Sequence, residues 1–376
     1  MKIPRFPLMD KSSHMAVLVV TLGLVTFGIV MIYSSSSIVA MERYGDEYFF
    51  LKKQLFYAVV GVLLMFVLSN MKYEDLRKVA YAGVVISMIL LVLVLIPPIG
   101  VKKGGASRWM RLGFVTFQVT EFVKIAVIDF LAHFLTKAVT HIKDFKRGIL
   151  VPLVVVAPVV GLVLLQPDFG TAVIIVTILM GMLYLAGARI MYLSMMTVPL
   201  LAGAVVMVMM KPYRLQRWLA FLDPWKDAKK TGFQIIQSWI SFGSGGPFGV
   251  GLGDGMQKLF YLPEPHTDFI LSVVAEAAGF IGVAIVIALF ILLVFQGFVI
   301  AYRAADLFGT LLAGGLTMLI ALEASINISA VVGLIPTKGL ALPFMSYGGS
   351  SLVMSLAAVG ILLSIQANRS RVRGNY

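Results

Sequence analysis

An aspartate, Asp268, stands where the polar segment YLPEPHTDFI runs into a long apolar stretch. A carboxylate at the mouth of a membrane helix is costly to keep there without a task. Ionised beside a water-filled groove, it can take a proton from a hydroxyl as a general base. The same group also fits a helix start. Pro263 and Pro265 stop helix before it, Thr267 can cap, and the helix dipole favours an acid in the first turn. His266, two residues earlier, reads either as a solvated loop histidine or as a substrate contact.

Glu121 and Lys124, three apart in FQVTEFVKIAVIDF, share a helix face and can pair. Such a pair inside a membrane either fixes helix packing or faces a cavity. Asp129 lies on another face and deeper. Upstream, GGASRWMRLG offers Arg108 and Arg111 to a pyrophosphate, and Trp109 to the interface or to a sugar ring. Asp168, in QPDFGTA, reads first as a helix cap. Glu276, eight residues beyond Asp268 and about 12 Å deeper along a helix, reads as a hydrogen-bonding group among small residues. Glu323 and Asn327 are four apart and suit contacts between helices. The segment IPTKGLALPFMSYGGSS adds Lys338, Ser346 and Ser350, with free N–H groups at a helix start that suit phosphate. No Walker, Rossmann or His-x-x-His pattern is present, so no cofactor is evident and any metal ligands are unknown.

These residues need elements to hold them. The chain has 376 residues, 60% hydrophobic, with mean hydropathy +0.96. No soluble domain needs so much apolar surface. Continuous apolar runs, rather than alternating ones, predict membrane helices. Ten spans are expected: Met15–Tyr33, Leu55–Leu68, Val79–Ile96, Gln118–Leu135, Ile149–Leu165, Thr171–Ala186, Met191–Met210, Asp268–Ile300, Phe308–Val332 and Ser350–Ile365. The fold class is thus an all-α polytopic membrane protein, a single domain over 1–376. It has an N-terminal tail at 1–14, one large loop at 211–267 between the seventh and eighth spans, and a basic tail at 366–376.

Lys and Arg number 15 on the side of the termini and 8 in the short loops opposite, which places both termini in the cytoplasm. The large loop adds 7 more to the outer side. That outer charge suits a polyanionic ligand, or simply anionic lipid. All four Trp lie in outer loops. RWLAFLDPW and TGFQIIQSWISFG have helix-like spacing and are expected to lie along the membrane surface. The following GSGGPFGVGLGDG is flexible enough to fold back over a site. With no cysteine, disulfides and cysteine metal sites are excluded.

GASRW, FQVTEFVK, QPDFGTA, FLDPW, GFQIIQS, GSGGPFGVGLGDGMQKLFYLPEPHTDFI and LPFMSYGGSS, in this order, resemble the SEDS family (shape, elongation, division and sporulation) along almost the whole chain. GVGLGDGMQKLFYLPEPHTDF and FLDPWKDAKKTGFQ resemble the division members more than the elongation members. The resemblance implies a peptidoglycan glycosyltransferase that polymerises lipid II on the outer face of the bacterial cytoplasmic (inner) membrane, at the division septum. It implies work beside a class B penicillin-binding protein and other divisome membrane proteins, with no nucleic acid. It puts the family's essential aspartate on Asp268 and its glutamate and lysine on Glu121 and Lys124. It also implies a divalent cation, Mg or Mn, which no motif here displays. Val119-Thr120 replaces the usual Pro-Ser or Pro-Ala before that glutamate. A lipid II flippase, an elongation polymerase and a non-catalytic scaffold are the rival readings.

Overall fold

In a computed structural model, residues 9–97, 99–103, 106–112, 115–210, 212–228, 232–252, 266–337 and 339–374 are described. Helices occupy all ten predicted places: α1 Met9–Tyr44, α2 Phe49–Asn70, α3 Leu76–Leu95, α4 Val119–Lys137, α5 Val151–Leu165, α6 Phe169–Leu185, α7 Ile190–Met209, then α10 Ile270–Arg303, α11 Leu307–Val332 and α12 Gly349–Gly374. Between α7 and α10 lie α8 (Pro212–Leu222) and α9 (Phe233–Gly245). Eight of the ten are long and apolar enough to cross a membrane. The other two are α4, which carries Glu121, Lys124 and Asp129, and α6, which is 17 residues long.

The charges of α4 explain its position. Charged side chains are expensive against lipid and are kept inside a bundle. Accordingly α4 packs between α3 and α11, with both faces largely buried. α11 and α12 are also central, with 72% and 83% of their apolar windows buried, whereas only 6% of the window of α7 is. α11 contacts α4, α6, α10 and α12, so it can gather side chains from most of the bundle.

The GGASRWMRLG loop carries regular structure. It forms a three-stranded antiparallel sheet, β1 Gly100–Lys103, β2 Ala106–Leu112 and β3 Val115–Gln118. The Gly104-Gly105 pair between two short polar-apolar runs is a hairpin signal that could have shown it. The surface placement suits α8, whose Leu215, Trp218, Leu219 and Leu222 are exposed. α9 exposes Trp239 and Ile240 on one side and packs the other against α10 and α11. The small Ser238, Ser241 and Gly245 give α9 a face for close approach. Ser238 Oγ lies 2.7 Å from Ser272 Oγ and donates to Val331 O at 2.6 Å.

The segment following α9 is not free to fold back as far as Leu252; the residues beyond, 253–265, lie outside the described ones. Instead it hooks into a break in α10 at Gly279 (φ 65°, ψ −165°). Phe280 and Ile281 N–H donate to Gly246 and Pro247 carbonyls at 2.9 and 3.2 Å. Val250 and Gly251 N–H donate to Glu276 and Ala277 carbonyls at 2.9 and 3.1 Å. Every backbone group freed by such a break must be paired inside a bilayer, and the hook supplies the partners. A Cβ at Gly279 would lie 2.4 Å from Gly249 N. Gly279→Ala is therefore expected to cost about 2–4 kcal/mol, strain and clash together. Thermal unfolding in detergent checks it against Gly203→Ala on α7, where nothing lies within 4 Å. Equal melting temperatures would contradict the seating of the hook.

Candidate active site

Asp268 precedes α10 rather than beginning it. The helix starts at Ile270, its N-cap is Phe269, and no side chain caps it. The capping reading of Thr267 and Asp268 therefore fails. Asp268 lines a shallow, partly open cleft, shared with Phe269, Asn327, Thr337, Gly339 and Leu340. It is half-buried, and a Cβ on Gly339 would sit 3.4 Å from its Oδ2. The left-handed φ of +65° at Gly339 and the lack of a side chain let the 339–340 segment pass this close.

Asn327 joins the two walls of the pocket. It is 2% exposed, and its Nδ2 donates to Asp268 O at 2.8 Å and to Leu340 O at 2.6 Å. One turn deeper on α11, about 6 Å along the axis, is Glu323. Lys124 Nζ pairs with Glu323 and, at 2.9 Å, with Glu121 Oε1. Sequence spacing gave the Glu121–Lys124 pair; the structure makes it a buried triad across α4 and α11. Lys124 is 2% exposed and already binds two carboxylates, so it is a packing group rather than a free phosphate ligand.

His266 is not solvated. It is 4% exposed, with its ring 4.5 Å from Phe50 and 5.4 Å from Tyr347. Its carbonyl accepts from Tyr347 N–H at 2.8 Å. Burial, with Arg43 adding to it, pushes the imidazole down to about 4, so it is neutral near pH 7. Burial, with Tyr57 and Tyr44 adding to it, pushes the Tyr347 phenol up to about 12. The ring cluster thus fixes the segment leading into Asp268 without adding charge.

The other candidates fall around this centre. Asp168 is the N-cap of α6, accepting from Thr171 N–H at 3.2 Å and Thr171 Oγ1 at 2.9 Å. Arg108 Nε lies 3.4 Å from Asp168 Oδ2, and an Nη donates to Pro167 O at 3.0 Å. Arg108 therefore clips the small sheet to the α5–α6 turn. Asp168→Asn keeps the cap and loses the ion pair, at about 1 kcal/mol or less. Asp168→Ala loses both, adding about 0.5–2 kcal/mol. Thermal unfolding of the two variants separates the roles.

Arg111 is exposed, opposite Thr116 in the sheet, and Trp109 on the same strand pairs with Gln118. Ser350 Oγ accepts from Gln118 N–H at 2.9 Å, and Ser346 Oγ accepts from Leu342 N–H at 2.9 Å. Both serines are buried and tie loops together. Glu276 is 3% exposed, beside the hook. Lys338 lies outside the described residues. Among the described residues no group of three or more His, Cys, Asp or Glu could hold a metal ion, so a divalent cation has no protein cage among them.

Thr337, Gly339, Leu340 and Tyr347 were not singled out by sequence. Only the Gly339 position, in a polar loop between spans, carried a signal. The pocket therefore holds one acid among its described lining residues, two pinned carbonyls, and a buried charge triad one turn below. Such an arrangement can present a fixed carboxylate to a hydroxyl entering from the loop side.

Comparisons with known proteins place nearly the whole chain in a family. The FtsW/RodA/SpoVE family, described as cell cycle protein, matches residues 14–371. The chain is 47% identical over 367 residues to a probable peptidoglycan glycosyltransferase FtsW of Trichlorobacter lovleyi, covering 98% of this chain and 96% of that one. It is 43% identical to the stage V sporulation protein E of Bacillus subtilis, covering 94% and 97%. A solved structure concerning polymerization and crosslinking by a peptidoglycan synthase complex superposes with a TM-score of 0.77 at 30% identity, covering 94% and 97%.

Proposed function

The chain belongs to the FtsW/RodA/SpoVE family of cell cycle proteins, and from that premise we propose that it polymerises lipid II into β-1,4-linked glycan on the outer face of the cytoplasmic membrane. It is a multi-pass membrane peptidoglycan glycosyltransferase. The observation that carries the reading is Asp268: a carboxylate in the wall of a partly open cleft, one residue ahead of the N-cap of α10.

Asp268 takes the proton from the 4-hydroxyl of the acceptor GlcNAc. That oxygen attacks C1 of the donor sugar from the face opposite the leaving group. The new C1–O bond forms as the bond from C1 to the lipid pyrophosphate breaks, with inversion. The proton ends on Asp268, and the electron pair leaves with the pyrophosphate. Arg111, which is exposed, is the cation offered to the developing charge, with Lys338 joining it on its place in the sequence alone, because Arg108 and Lys124 are already paired.

The partner in this reading is a class B penicillin-binding protein, and the site of work is the septum. The crosslinking named for the superposing complex supports the first, and the FtsW relative supports the second. Ten crossings with cytoplasmic termini would put the Asp268 pocket on the outer face, where lipid II is presented. A flippase needs an open polar path. Lys124 instead closes on Glu121 and Glu323.

The test is a liposome assay with purified protein and its partner, lipid II being supplied on one side. Glycan polymer on a gel is expected. Lipid II crossing the bilayer with no polymer would replace this reading by transport.

A further inference from the structure

We infer that Asn327 is the positioning residue for the Asp268 carboxylate, acting by clamping the two walls of the pocket together. The inference rests on the proposed role of Asp268 as base. Asn327 lies on α11, yet both its N–H groups leave that helix, one to Asp268 O and one to Leu340 O. Two carbonyl acceptors fix the amide orientation, since the flipped amide would set oxygen against oxygen. Its Oδ1 is then left buried with no donor. Such an orphan acceptor is costly and calls for an explanation. The clamp supplies one: the amide is held for its donors.

The carbonyl carbon of Asp268 is bonded to its Cα, so holding the carbonyl restrains the backbone from which the side chain starts, and with it the origin from which χ1 and χ2 direct the carboxylate. Leu340 follows Gly339, where an added Cβ would sit 3.4 Å from Asp268 Oδ2. A single amide thus sets the backbone that bears the carboxylate and the backbone that faces it. The anchor is firm, because Glu323 one turn deeper is held by the buried Lys124. Asn327 touches no reacting atom in this account; a misplacement of about 1 Å can nonetheless cost about 10² in rate.

The experiment compares Asn327→Leu, similar in volume but without donors, with the full-length wild type and its partner in liposomes containing lipid II. The polymerisation kcat is expected to fall about 10²-fold while KM for lipid II stays within about threefold. In an Asp268→Ala background the same substitution is expected to change the residual rate by less than about threefold, because there is no carboxylate left to aim. Equal proportional losses in both backgrounds would overturn the inference in favour of plain structural damage, as would a wild-type rate for Asn327→Leu. If Asn327→Leu does not fold, Asn327→Ser, which keeps one donor, is read by the same cycle. Full activity of Asp268→Ala alone would instead remove the base reading on which the inference stands.

Discussion

Lys124→Met is expected to destabilise the protein by about 3–5 kcal/mol, the cost of leaving buried charge without its partner. Lys124 is 2% exposed between Glu121 and Glu323, which are 8% and 5% exposed. Removing the ammonium leaves two carboxyl groups facing each other in a bundle interior where water is scarce. The melting temperature in detergent should fall well below that of the wild type, or folded yield should collapse. The remedy distinguishes this cause from lost packing volume. The triple variant Lys124→Met, Glu121→Gln, Glu323→Gln removes the charges together and should recover most of the loss. If the triple variant is no better than the single one, the charge argument fails.

Asp268→Asn should behave in the opposite way, with a large loss of rate and little loss of fold. The amide keeps the shape of the carboxylate but cannot take a proton at neutral pH. General-base help of this kind is worth about 10²–10⁴ in rate, so kcat should fall by that factor. Stability should move little, because α10 does not use Asp268 as a cap and Asn327 holds the backbone carbonyl, which the substitution keeps. Thermal unfolding and polymerisation measured on the same preparation check both halves.

The helices were legible because long apolar runs leave little choice in a bilayer. Even so, α4 and α6 needed the neighbouring runs to be recognised. One carries Glu121, Lys124 and Asp129, and the other has only 17 residues. Of the site, the Glu121–Lys124 pair was legible because three residues on a helix must be neighbours. Glu323 and Asn327 were visible as a polar stripe on α11. Their partners were not, since Lys124 and Asp268 reach them across 199 and 59 residues of chain. The hook at Gly279 was hidden for a related reason. A glycine in an apolar run says nothing about which distant backbone will enter the gap. His266 misled in the usual direction for a loop histidine, because its burial comes from Phe50 and Tyr347 on other segments. Asp268 itself was ambiguous between cap and base, and the two-residue offset of the helix start resolved it against the cap.

The most direct measurement of the role of Asp268 is the initial rate of glycan formation at saturating lipid II, with partner, by wild type and Asp268→Asn in the same membranes and with lipid II binding measured alongside. Polymer is expected from the wild type, and a rate at least about 10² lower from the variant at equal lipid II binding. A variant rate within about threefold of the wild type, with binding unchanged, would contradict it.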